Sequence, residues 1–131
     1  MANEKVLIID DEEKILNLVT SYLEREGYDI FTAQNGLEGL KLSKEVNPDI
    51  IVLDIMLPGM DGIETLKQIK QIEPLIEIVM LTGHASIESG MEAMKLGAYD
   101  YVMKPCDIDE LLIKSGDAYQ HKLLKEKEKT G

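Results

Sequence analysis

Asp10 and Asp11, Asp54, Thr82 and Lys104 each stand at, or just past, the end of a short apolar run: VLIID-D, IIVL-D, EIVML-T and YVM-K. Carboxylates together hold a hard cation, and a hydroxyl and an ammonium hold phosphoryl oxygens. In an open parallel α/β sheet, ligands bind at the carboxyl ends of the strands. If these runs are parallel strands, the five side chains converge on one cation-and-phosphoryl pocket.

Taken singly, each residue keeps a plainer reading. Adjacent carboxylates such as Asp10 and Asp11 repel, and a bound divalent cation removes that cost. An oxygen-only donor set selects a hard ion such as Mg²⁺. The same pair also suits a solvated helix N-terminus, but its place straight after an apolar strand favours a site. Asp54 closes the most apolar run, where a charge is expensive unless paired or coordinated. Near a metal it can act as a nucleophile, or serve simply as a ligand or loop cap. Lys104, before Pro105, is a compact charge that reaches a carboxylate or a phosphoryl oxygen. Thr82 offers one hydroxyl donor, although Thr82-Gly83 also reads as an ordinary strand-ending turn.

The elements that must position these residues alternate five times. Strands are expected at 5–9, 28–33, 49–54, 77–81 and 99–103, with 28–33 at an edge and 49–54 central because it is apolar on both faces. Helices are expected at 12–26, 36–46, after Asp61-Gly62 up to Pro74, at 85–96, and from an Asp107 N-cap onward. Their inner faces are read as Ile15, Leu18, Val19 and Tyr22; Leu37, Leu40 and Val46; Ile63, Leu66 and Ile69; Ile87, Met91 and Met94; and Ile108, Leu111, Leu112 and Tyr119. Gly27 and Gly97 are expected as left-handed caps, and Asn47-Pro48 as a helix stop. Strict βα alternation argues a doubly wound parallel sheet with helices on both faces.

A chain of 131 residues is expected to be one domain, at 1–121. Residues 122–131, KLLKEKEKTG, read as a charged helix end or linker stub. A net charge of −11 disfavours direct contact with nucleic acid or anionic lipid. No apolar run is long enough to span a membrane, and the N-terminus lacks a signal-peptide layout. One cysteine, Cys106, excludes an internal disulfide framework and fits the cytoplasm.

Together, IIDDE, LDIMLPGMDG, LTGHAS and YDYVMKP resemble the signature of bacterial two-component response-regulator receiver domains, over about residues 4–120. The resemblance implies a five-stranded sheet in the flavodoxin-like order 2-1-3-4-5, an order borrowed from members of this fold. It implies that Asp54 accepts a phosphoryl group from a sensor histidine kinase or phosphotransfer protein. Asp10, Asp11, Asp54 and the Met56 carbonyl would hold Mg²⁺; Lys104 and Thr82 would bind the phosphoryl group; Thr82 and Tyr101 would form the switch. Met56 and His84 occupy positions that tune phosphate lifetime in the family. The chain would be no turnover enzyme, its chemistry limited to self-phosphorylation and autodephosphorylation. A downstream protein or output domain would read the changed face of the fourth helix, fifth strand and fifth helix, through which a homodimer is also possible. Cys106 departs from the aromatic residue common after Lys-Pro and reads as a small buried hydrophobe. His121 is expected in solvent.

Three rivals stand beside this reading. An aspartyl-nucleophile phosphatase would want a second acid two residues past Asp54, where Met56 stands. A flavin carrier would want a hydroxyl- and glycine-rich loop where this chain has Asp-Asp-Glu-Glu. A receiver-like interaction module acting without phosphorylation keeps every residue and differs only in behaviour.

Overall fold

The computed structural model describes residues 4–83, 87–104 and 108–130. Its elements run β1 (Lys5–Ile9), α1 (Glu13–Arg25), β2 (Asp29–Ala33), α2 (Gly36–Val46), β3 (Ile50–Asp54), α3 (Gly62–Ile72), β4 (Glu77–Thr82), α4 (Ile87–Lys95), β5 (Asp100–Met103) and α5 (Ile108–Thr130). The strands pair in parallel in the order β2-β1-β3-β4-β5, as the resemblance implies. Among the described residues, no helix is long and apolar enough to cross a membrane.

Strand alternation sorts the core into two layers. Leu7, Ile9, Ile51, Leu53, Ile78 and Met80 point to one face, under Leu66 and Ile69 of α3 and Ala93 of α4. Val6, Ile8, Ile50, Val52, Val79 and Leu81 point to the other, under Leu16, Val19 and Leu23 of α1 and Leu111 and Ala118 of α5. Every residue of β3 and β4 is buried, so both strands lie inside. Gly27 and Gly97 adopt the left-handed conformation, and so does Asn47, the C-cap of α2.

Three helix faces differ from their expected ones. In α1, Leu16, Val19 and Leu23 are buried, while Leu18 and Tyr22 face outward. Apolar residues make up nearly half of that helix, and two i, i+3, i+7 stripes fit its spacing equally. In α2, Leu37 is outward and the buried residues are Gly36, Gly39 and Ser43. A Cβ on Gly39 would overlap Ile9 Cδ1, so the missing side chain lets the helix seat on β1. In α4, Met91 and Met94 are exposed, and Gly90 and Ala93 lie inward. The closest seats on the sheet are small residues in both helices, while Leu40, as expected, and Leu42 of α2 are partly buried against the same core. The side chains of Ile87 and Ile108, and the Asp107 cap, lie outside the described residues.

Gly62, at the start of α3, is buried against β3. A Cβ there would overlap the Asp54 carbonyl oxygen and sit 2.6 Å from Ile55 Cα, both backbone atoms that cannot swing aside. Gly62→Ala is expected to cost about 2 kcal/mol by overpacking, read as a lower urea midpoint with an unchanged slope. An unchanged midpoint would show that the loop after β3 yields freely.

The distal part of α5 is docked rather than free. Lys122 pairs with Asp49, and Lys125 Nζ lies 3.1 Å from Glu77 Oε1. His121, expected in solvent, is half-exposed, hydrogen-bonds Glu77 and packs against Tyr99 at 5.3 Å between ring centroids. Lys70 of α3 adds a second lysine to Glu77, at 3.3 Å. Asp49 and Glu77 precede or begin strands, so this cluster marks the edge of the sheet opposite the strand ends that carry Asp54 and Thr82.

Candidate functional site

The sheet's hydrogen-bond ladder runs one step beyond the strands and fixes the backbone of the site. Asp10 N–H donates to Ala33 O, Ile55 N–H to Leu81 O, and Lys104 N–H to Thr82 O at 2.6 Å. Asp10, Asp54, Thr82 and Lys104 therefore arrive at the same edge. Asp10, Asp54 and Thr82 are buried, and Asp11 faces solvent.

Lys104 is the hub. Its Nζ donates to Asp54 Oδ2 at 3.1 Å and to Glu12 Oε1 at 2.9 Å. It also lies 3.1 Å from Asp10 Oδ2, within ion-pair reach but without hydrogen-bond alignment, which leaves that buried oxygen with no directed donor. Asp10 Oδ1 accepts from Glu12 N–H, and Asp54 Oδ1 from Met56 N–H.

Electrostatics follow from this packing. Burial, then the nearby charge of Asp10, pushes the Asp54 carboxyl up to about 6, against the pull of Lys104 and the Met56 N–H. Burial alone would lower the Lys104 pKa, but the carboxylates of Glu12, Asp10 and Asp54 outweigh it and hold it above the usual lysine value. Asp54 is thus ionised at neutral pH yet more basic than an exposed aspartate, as suits a nucleophile.

Asp10, Asp11, Glu12 and Asp54 can each bring one carboxylate oxygen within 4.8 Å of the others. A single hard cation can bridge such a set. The undirected Asp10 Oδ2 is consistent with one, because a buried anionic oxygen normally finds a partner. An open cleft of about 730 Å³ borders this cluster, lined by Asp11, Met56, Leu57, Lys67, Ser89 and Glu92 among others. It reaches Asp11 and Met56 but not Asp54 itself, so it is an approach to the site rather than its centre.

Tyr101 is half-buried beside the α2–α4 layer, with Lys114 Nζ 5.6 Å from its ring centroid and donating to its carbonyl. Gly90 leaves space between Thr82 and Tyr101: a Cβ there would meet both at 3.7 Å. His84 and Cys106 lie outside the described residues. Glu12 is the site member that sequence reasoning missed; its place beside the acidic pair was the available signal.

Comparison with known proteins agrees with the geometry. Residues 6–115 match the response regulator receiver domain family. Sporulation initiation phosphotransferase F of Bacillus subtilis is 41% identical over 111 residues, 85% of this chain and 90% of that protein. The alkaline phosphatase synthesis transcriptional regulatory protein PhoP of Bacillus subtilis is 47% identical over 103 residues, 79% of this chain but 43% of that protein. Among solved structures, a receiver domain protein from Clostridium thermocellum superposes with a TM-score of 0.89 at 35% identity, covering 92% of this chain and 98% of that one. NtrX from Brucella abortus superposes with a TM-score of 0.92 at 33% identity, covering 98% of this chain and 29% of that one. Family match, sheet order and the cluster of acids facing one lysine coincide, and the chain belongs to the receiver domains of two-component response regulators.

Proposed function

We propose that Asp54 accepts a phosphoryl group from a phosphohistidine donor on a sensor kinase or phosphotransfer protein. The observation that carries this is the buried, basic Asp54 carboxylate held by Lys104 at 3.1 Å beside Asp10. In the transfer, an Asp54 oxygen forms a new P–O bond as the donor P–N bond breaks, and the imidazole leaves with the electron pair. Later attack of water on phosphorus releases phosphate and restores the carboxylate. The chain acts as acceptor and carrier, not as a turnover enzyme.

Phosphoryl transfer depends on positioning and charge neutralisation more than on covalent help. Asp10, Asp11, Asp54 and the Met56 carbonyl would hold Mg²⁺, which when bound neutralises charge on the phosphoryl oxygens. Lys104 supplies a fixed cation on the other side, and Thr82 a hydroxyl donor. The Gly90 gap between Thr82 and Tyr101 is where their rearrangement would register. Reversing a 1:99 equilibrium needs roughly 5.5 kcal/mol of differential stabilisation, and charge-assisted hydrogen bonds at ~1.5–3 kcal/mol each supply a fair part. A downstream protein or attached output domain reads the altered α4-β5-α5 face, and a homodimer can form through it. Action in the cytoplasm fits the described helices, none of which can cross a membrane.

The test is intact-mass measurement after incubation with acetyl phosphate. One added phosphoryl group is expected with Mg²⁺, and none with EDTA or in Asp54→Ala. Failure with both acetyl phosphate and a phosphorylated kinase would favour an interaction module that works without phosphorylation.

A further inference from the structure

We propose that Glu12 is a positioning residue that holds Lys104 in the resting protein and yields it to the incoming phosphoryl group. The inference rests on Asp54 being the acceptor. Three carboxylate oxygens surround the Lys104 ammonium, from Glu12 at 2.9 Å and from Asp10 and Asp54 at 3.1 Å each. Two of its three N–H donors go to Glu12 and Asp54 and the third faces Asp10 Oδ2 without alignment, so a phosphoryl oxygen that bonds Lys104 must come in among these carboxylates and compete with them.

The three are not equally displaceable. The side chains of Asp10 and Asp54 are 0% and 3% exposed, whereas that of Glu12 is 58% exposed. Asp10 and Asp54 are further fixed by the backbone N–H groups of Glu12 and Met56. Glu12 sits at the N-cap of α1, yet its side chain caps no N–H of that helix. It is turned instead to a lysine 92 residues away in sequence. Glu12 therefore keeps the long Lys104 side chain aimed at Asp54 and is the one partner free to swing into water when the phosphoryl group arrives.

The test is a double-mutant cycle on phosphoryl uptake from acetyl phosphate in Mg²⁺, timed by intact mass. Glu12→Gln is expected to accelerate uptake about two- to five-fold, the range an exposed ion pair supports. The acceleration should vanish in Lys104→Met. Acceleration that persists there would mean that Glu12 merely repels an anionic donor, and an unchanged or slower Glu12→Gln would mean that it does not compete; either overturns the proposal. A second readout needs no transfer: the ¹⁵N-ammonium resonance of Lys104, assigned by its loss in Lys104→Met, should shift in Glu12→Gln. An unmoved resonance overturns the proposal even if Lys104→Met is too slow to time. Wild-type protein that takes up no phosphoryl group would overturn the acceptor reading and the competition with it, while the ammonium shift would still report the resting contact.

Discussion

Asp54→Asn is expected to raise the stability of the protein at neutral pH while abolishing phosphoryl acceptance. The carboxyl is buried beside Asp10, and its pKa stands at about 6 against the usual 3.8. That displacement corresponds to a cost of at most roughly 3 kcal/mol to the folded chain once the group is ionised. A carboxyl with its folded-state pKa above its unfolded value binds the proton more tightly when folded. Its contribution to stability is therefore full below 3.8 and is lost as pH rises through about 6. In metal-free buffer, wild type and variant should unfold at similar urea concentrations in acid and separate by pH 8, the variant ahead. Mg²⁺ should narrow the gap, since a ligand that prefers the wild-type folded state stabilises it by mass action. A variant no more stable than wild type at pH 8 would mean that the Lys104 pair already compensates burial. The site would then hold no stored repulsion to drive cation binding.

The second large effect is expected at the opposite edge of the sheet. Glu77 is buried at the start of β4 and answers to Lys70, Lys125 and His121. Burial pushes its pKa up, but hydrogen bonds from His121 and Lys125 and the charge of Lys70 outweigh it and bring it below the usual 4.5. Burial likewise lowers the Lys70 pKa, so that cation depends on its partner. Glu77→Gln leaves the Lys70 and Lys125 ammonium groups around a neutral amide. Breaking a buried pair from one side costs ~3–5 kcal/mol, and partial exposure of Lys125 and His121 moderates this to roughly 3 kcal/mol. A depressed carboxylate pKa contributes stability above the unfolded value and loses it as pH falls below 4.5. Wild type and variant should therefore differ most near neutrality and converge in acid. Amide exchange along residues 119–128 should quicken in the variant. Equal urea midpoints at pH 7 would show that the distal turns of α5 are held without the Glu77 contacts.

Much of this was legible in the sequence, for identifiable reasons. Strand positions came through because each apolar run is short, and four of the five end at or just before a charged or hydroxyl residue, as at Asp54 and Thr82. Convergence of Asp10, Asp54, Thr82 and Lys104 followed once the runs were taken as parallel. Helix faces were less legible. Periodicity counts large apolar residues, whereas α2 and α4 meet the sheet through Gly39, Gly90 and Ala93, so Leu37, Met91 and Met94 were assigned to the wrong side. Partners of the charged residues were not legible at all. Glu12 with Lys104, and Glu77 with His121, are 92 and 44 residues apart, and no local pattern joins them.

The glycine and alanine seats also govern what the outer surface must look like. A helix that turns glycine or alanine toward a sheet lies low on it, and some of its bulkier apolar residues are turned outward. Leu37, Met91 and Met94 are thus the counterpart of a thin helical layer, fixed by the clearance beneath it. At the start of α3, Gly62 makes the same kind of close approach to the Asp54 carbonyl, so a larger residue there would lift the helix from the strand end that carries the acceptor carboxylate.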